Sequence, residues 1–144
     1  LHTVQVVDNA NLSFKAGFAD LAIEGWNFGH ATSWHSDQWQ TVIERYLDEM
    51  FRVLKPNGLA ILLETMGTGA TEPTPPNQAL GLLYQYLETQ GFTYQWFRTD
   101  YQFPSVKDAI QHTQFFFGDE MAKLVEKNNS AIVPECTGMW YRKK

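Results

Sequence analysis

Two histidines, His30 and His35, stand in one stretch with Trp34 between them. An imidazole that titrates near neutrality is suited to take a proton from a substrate or to orient it. The alternative reading of two loop histidines is a pair of surface or capping groups. Their spacing, with no third ligand in step, is not a metal signature, and no metal is expected. Glu24-Gly25-Trp26-Asn27 and Glu64-Thr65 each follow an apolar run. Polar groups at such strand ends either touch a ligand or cap the loop that follows. Asp8-Asn9 closes a β-branched run, where an Asx turn is the plain reading. Cys136 follows Pro134-Glu135 without a histidine in sequence reach and reads as packing rather than a nucleophile. Gly67-Thr68-Gly69 follows a strand-like run, but Pro73, Pro75 and Pro76 occupy the place of the helix start that a phosphate-cradling turn needs. It is read as an ordinary loop.

The elements that must position these residues follow from periodicity. Val4-Gln5-Val6-Val7 and Phe18-Ala19-Asp20-Leu21-Ala22-Ile23 read as strands. Trp39, Val42, Ile43, Tyr46, Leu47, Met50, Phe51 and Leu54 fall on one helical face. Ser36 or Asp37 is the expected cap, and Lys55-Pro56-Asn57-Gly58 the stop. Leu59-Ala60-Ile61-Leu62-Leu63 is apolar without a break, as a parallel strand covered on both faces requires. After a Pro-rich loop, Leu80, Leu83, Tyr84 and Leu87 mark a short helix stopped by Gly91. Phe92 to Phe103 alternates with a change of phase, which predicts a bulge or a strand buried on both sides. Ser105-Val106-Lys107-Asp108 opens a helix, and a second begins near Asp119 with Met121, Leu124 and Val125 facing inward. Asn128-Asn129-Ser130 is a turn, and Cys136 to Arg142 a closing strand. The layout is α/β.

Composition bounds what this layout can be. The 144 residues, 44% hydrophobic and 19% charged, suffice for one domain, residues 1–144, with a real core. No apolar run is long enough for a membrane span, and the leading residues lack a signal peptide's pattern. A single cysteine suits a reducing, cytoplasmic setting. A net charge of -5 argues against a broad basic face for nucleic acid, and the basic tail Arg142-Lys143-Lys144 reads as a solvated terminus. The 5 Trp, 6 Tyr and 10 Phe exceed what a small core needs, which leaves core, pocket wall and contact surface as their roles.

Three segments carry a family likeness. Glu49-Met50-Phe51-Arg52-Val53-Leu54-Lys55-Pro56-Asn57-Gly58 resembles the E-x-x-R-V-L-K-P-G-G helix end of class I S-adenosylmethionine-dependent methyltransferases. Asp8-Asn9-Ala10-Asn11-Leu12-Ser13-Phe14 resembles the D-A-x-x-L-P-F segment after that family's third strand. Phe18-Ala19-Asp20-Leu21-Ala22-Ile23 is similar to the F-D-L-V-x of its fourth, with one extra residue between Phe and Asp. Their order and spacing agree, and the likeness covers essentially the whole chain.

The resemblance implies a Rossmann-like methyltransferase sheet of order 3-2-1-4-5-7-6, the last strand antiparallel. Here strands 3 to 7 are expected and strands 1 and 2, with the Gly-rich cofactor turn and the ribose acid, are absent. The implied reaction is methyl transfer from S-adenosylmethionine to a small-molecule acceptor. By the same likeness, Asp8 and Asn9 lie near the adenine, and Glu24, Gly25 and Trp26 border the cofactor's methyl group. Trp34, Glu64 and Thr65 then become substrate-side candidates, and His30 and His35 the catalytic ones. A chain starting at Leu1 is expected to be cut from a longer one. The fourth strand, without its neighbour, is expected to leave an open apolar edge, met by a homodimer or a rearranged pairing. The alternative is a non-catalytic, methyltransferase-like module that acts in protein interaction or oligomerisation.

Overall fold

The computed structural model describes residues 4–144, so Leu1, His2 and Thr3 of the leading segment lie outside the described residues. The chain divides into two compact units. The first runs to Glu64 and takes in Asn77–Gln95 and Met139–Lys144; the second comprises Thr65–Pro76 and Trp96–Gly138.

In the first unit, strand β1 (Ala19–Gly25) leads through a 3-10 turn (Phe28–His30) and a short helix α1 (Ala31–Trp34) to α2 (Trp39–Val53). Strand β2 (Leu54–Thr68) follows at once, then α3 (Gln78–Thr89), β3 (Thr93–Arg98) and, at the end of the chain, β6 (Glu135–Lys143); of these strands the first unit holds the residues up to Glu64, up to Gln95 and from Met139 respectively. The four strands form a mixed sheet in the order β1-β2-β6-β3. β1 and β2 run parallel, with Ile23 opposite Ile61 and Gly25 opposite Leu63. Parallel strands need a helical crossover, and α2 supplies it. Ile43, Leu47 and Met50 of its expected apolar face are buried, and Val53, not on that face, is buried beside them. Asn77 caps α3 by accepting the Leu80 amide at 2.9 Å, and Gly91 takes the left-handed conformation that ends it.

Several expectations are corrected here. Val4–Val7 forms no strand and lies exposed, because no neighbouring strand offers it a ladder among the described residues. The cap of α2 is Gln38, without a side-chain bond, in place of Ser36 or Asp37. Lys55-Pro56-Asn57-Gly58 does end the helix, but its residues are absorbed into β2 as an irregularity, with Asn57 left-handed. β2 itself is buried on one face and half-buried on the other, so it is not covered equally on both sides. The basic tail is tied down: the Arg142 guanidinium donates to Gln90 O at 2.7 Å and lies 4.6 Å from the Phe51 ring centre, and Lys144 Nζ donates to Leu54 O at 2.8 Å.

The family-like helix end has a structural task. Arg52 forks onto Glu49 (2.7 and 2.8 Å) and reaches the carbonyls of Phe14 and Leu12, while Glu49 accepts the Leu12 amide. The Arg52 guanidinium, followed by the Leu12 amide, holds the Glu49 carboxyl down at about 2. This clamp moors the segment that precedes β1 onto α2. Arg52→Ala is expected to speed hydrogen exchange at the Leu12 amide while leaving the α2 amides protected. Arg52→Lys should rescue little, because a single ammonium cannot fork. Unchanged exchange at Leu12 would show that the clamp does not hold the segment.

In the second unit, β4 (Tyr101–Gln102) pairs antiparallel with β5 (Ile132–Val133), and α4 (Val106–Phe117) lies against α5 (Asp119–Asn128). Ser105 caps α4 as expected, accepting the Asp108 amide at 3.1 Å. Ala109, Val125 and Val133 form the core of this unit with Phe103, Ile110 and Met121 packed on it. Leu124, expected inward, is exposed, and Ala122 takes the buried place. The change of phase after Phe92 is neither a bulge nor a doubly buried strand. It marks the break between β3 and β4, which belong to different sheets. Among the described residues no helix is long and apolar enough to cross a membrane.

Candidate functional site

The carboxyl ends of β1 and β2 carry two buried acids of the first unit. Glu24 pairs with Leu62 in the register. Strand side chains alternate, so Glu64, two residues beyond Leu62, lies on the same face as Glu24. Glu24 is 7% exposed and Glu64 3%. Glu24 Oε1 accepts the Asn27 amide at 2.6 Å and the Phe28 amide at 3.0 Å. Glu64 Oε1 accepts the next amide, Gly29, at 2.7 Å. The two acids thus satisfy three successive N–H groups of the turn that opens toward α1, which otherwise has no side-chain cap. Gly29 is closely packed there: a Cβ would come to 2.9 Å from Glu64 Oε2 and from a Leu80 methyl, so those side chains would have to shift.

Burial dominates the electrostatics. It pushes the Glu24 carboxyl up to about 7, against the pull of the two amides. It pushes Glu64 up to about 8, helped by the neighbouring Glu24 charge and opposed by the Gly29 amide. Glu24 Oε2 is buried with no hydrogen-bond partner among the described residues. Two like charges in one dry site cannot both ionise cheaply, so the pair retains a proton near neutral pH.

Beside this end lies a groove of about 480 Å³ that follows β1 from Ala19 to Gly25. Phe14, Phe18, Leu12 and Asn9 line it, with Tyr46 and Met50 contributed by α2. β1 is the edge of the sheet. Leu21 is 47% exposed and Ile23 59%, so the open apolar edge expected from strand accounting is present.

The sequence candidates distribute unevenly around this geometry. Asn9, Glu24 and Gly25 line the groove. The Asp8 carboxylate is engaged in an Asx turn: it accepts the Ala10 amide at 2.8 Å, and the Asp8 carbonyl accepts Asn11 N at 2.9 Å. A Cβ at Gly25 would meet open space. Trp26 is left-handed and half exposed, its amide continuing the ladder to Leu63 O at 2.8 Å. His30 and His35 are both exposed, and the His30 ring stacks on the exposed Trp34 at 4.9 Å. Thr65 belongs to the second unit, where its hydroxyl donates to Glu135 Oε1 at 2.8 Å. The pairing of Glu24 with Glu64 is the feature that sequence reading missed. Its signal was present, since each acid ends an apolar strand run. The register that joins them is a tertiary fact.

No protein-family model and no curated protein sequence matches the chain. Among solved structures, a protein from Anaeromyxobacter dehalogenans with a provisional type II methyltransferase assignment matches 98% of this chain and 71% of its own, at 13% identity and a TM-score of 0.56. The chain has a methyltransferase-like fold. Two further structures lie farther off in shape. The [4+2]-cyclase SpnF matches at 17% identity over 97% of this chain and 56% of its own, with a TM-score of 0.48. YcgJ from Bacillus subtilis matches at 16% identity over 96% and 69%, with a TM-score of 0.46. The chain therefore spans 56% to 71% of the length of these structures. In this methyltransferase fold the acid pair sits at the carboxyl ends of adjacent parallel strands, where open α/β sheets bind their ligands.

Proposed function

We propose that the chain is the carboxyl-terminal portion of a class I S-adenosylmethionine-dependent methyltransferase domain acting on a small-molecule acceptor. The observation that carries this reading is the course of the groove, along the free edge of β1 to Glu24 and Gly25. In this reading β1, β2, β6 and β3 take the places of the family's strands 4, 5, 7 and 6. The cofactor, when bound, supplies a methyl group on a sulfonium that an in-line nucleophile displaces.

The chain fits one end of that molecule. Asn9 offers an amide to the adenine, and Phe14 and Phe18 offer apolar walls. Asp8 is committed to its own turn, so the contact expected of Asp8-Asn9 falls to Asn9. Gly25 leaves room for close approach, with Trp26 beside it. The Gly-rich turn and ribose acid that hold the other end have no counterpart in the 144 residues. Glu24 and Glu64 serve the site from beneath, holding Asn27, Phe28 and Gly29 in place. His30 or His35, exposed on the following turn, would take the acceptor's proton, with Trp34 as an aromatic wall.

The test is calorimetric titration of the chain with S-adenosylhomocysteine, together with its melting temperature at saturation. Measurable heat and a rise in Tm are expected, since a ligand that binds only the folded state stabilises it. Neither heat nor shift would remove cofactor binding from this chain. The second reading, a non-catalytic module for interaction or self-association, draws support from the exposed Leu21 and Ile23 on the β1 edge. It is favoured if titration is silent and sedimentation shows a homodimer.

A further inference from the structure

The second unit holds an aromatic cavity unrelated to the groove. Tyr101, Phe103, His112, Phe116 and Phe117 enclose about 240 Å³. Tyr101 and Phe117 ring centres stand 6.2 Å apart, and Tyr101 and Phe103 6.4 Å. Phe103 stacks on His112 at 5.6 Å. Apart from the Tyr101 hydroxyl and the imidazole, the side chains that line it are bare aromatic rings. Phe116 and Phe117 remain substantially exposed, so the unit gains little from burying them.

The His112 imidazole is the one basic side chain that lines the cavity, and the charges around it are otherwise negative or paired. The cavity lies at the carboxyl end of α4, where the helix dipole is negative. No basic residue stands in the last turn of α4, and its Lys107 is in the first. The positive start of α5 is offset by Asp119 and Glu120 in its first turn. Lys123 is paired with Glu120 and Arg98 with Asp100, each at 2.7 Å. Burial, followed by the Glu135 charge, holds the Tyr101 hydroxyl above its usual value, which agrees with a negative surround.

We infer that this cavity binds a methylated quaternary ammonium group, held by the faces of Tyr101, Phe116 and Phe117. Aromatic faces attract a cation within about 6 Å of the ring centre, and these three rings line one cavity. A primary ammonium would need three acceptors for its N–H groups, and the walls do not supply them. A tetraalkylammonium has no N–H to satisfy and presents methyl groups to the rings. A carboxylate or phosphate would meet the negative end of α4 and is disfavoured. This inference does not rest on the methyl-transfer reading.

The experiment is an NMR titration of the whole chain with choline and, separately, with 3,3-dimethylbutan-1-ol, its uncharged carbon analogue. Choline is expected to saturate with a Kd on the order of millimolar, its methyl protons shifted upfield by the rings, and the carbon analogue to bind about fivefold more weakly or worse. Phe116→Leu and Phe117→Leu keep apolar bulk without the π face. Each should weaken choline about fivefold while circular dichroism stays unchanged. Equal binding of the two ligands, no choline shift, or undiminished affinity in both leucine variants would overturn the inference. The comparison of the two ligands on the unaltered chain decides the matter even if a variant folds poorly.

Discussion

Raising the pH from 5 to 8 destabilises the chain, and Glu64→Gln removes much of that loss. In the unfolded chain both glutamates titrate at their ordinary value near 4.5. In the folded chain Glu24 holds its proton to about 7 and Glu64 to about 8. Between these limits the native state binds more protons than the unfolded state, so stability falls as pH rises and levels off above about 8. One pK unit is worth about 1.4 kcal/mol, so a single carboxyl displaced this far costs the fold on the order of 3 kcal/mol at pH 8. Glu49 works in the other direction and lower down: its depressed value adds stability that is lost only as pH falls from about 4.5 toward 2. The optimum therefore lies near pH 5. Urea denaturation at pH 5, 6.5 and 8 measures the slope. Glu64→Gln keeps an acceptor for the Gly29 amide without the charge, and should raise stability at pH 8 by about 1–3 kcal/mol. Glu64→Leu should not match it, because the Gly29 N–H then loses its acceptor. A flat profile in the unaltered chain would show that neither acid is held protonated.

Trp140→Ala is the substitution expected to cost the first unit most. Trp140 is 1% exposed on β6. Its ring stacks on Tyr84 at 4.5 Å and on Tyr94 at 4.9 Å. Removing so large a buried ring leaves a cavity as well as forfeiting its transfer energy, for about 3–5 kcal/mol. Against a typical total of roughly 5–15 kcal/mol, that is a large fraction. Trp140→Phe should lose far less: it keeps a ring in the stack and removes an indole N–H that is buried without a hydrogen-bond partner among the described residues. Equal losses for the two variants in urea denaturation would mean that the retained ring offsets nothing and that the indole itself sets the cost.

Local features were legible wherever a short-range rule decided them. The apolar face of α2, the Ser105 cap, the Gly91 stop and the turn at Asn129 concern neighbours within a few residues. The first of these helices was located from spacing, and Ser105 from its Asp108 partner. Val4–Val7 shows the limit. Its β-branched residues favour extension, but a strand also needs a partner, and propensity alone does not supply one. Ser36 and Asp37 show another: each can cap a helix, yet the chain enters α2 at Gln38. The aromatic segment after Phe92 misled for a related reason, since periodicity does not reveal when a chain leaves one sheet for another.

The open edge of β1 was expected only through the family likeness; the sequence by itself determined the α/β class and the helix-strand unit from Trp39 to Leu63. Each follows from the period and continuity of apolar side chains. Only the tertiary structure decided that Glu24 and Glu64 are neighbours, that they share one turn as their hydrogen-bond partner, and that the surplus rings enclose a cavity at the end of α4. Those facts depend on strand register and helix packing. Each acid, read alone along the chain, is an ordinary end of a strand. Brought side by side in a dry site, they must contend with one another's charge.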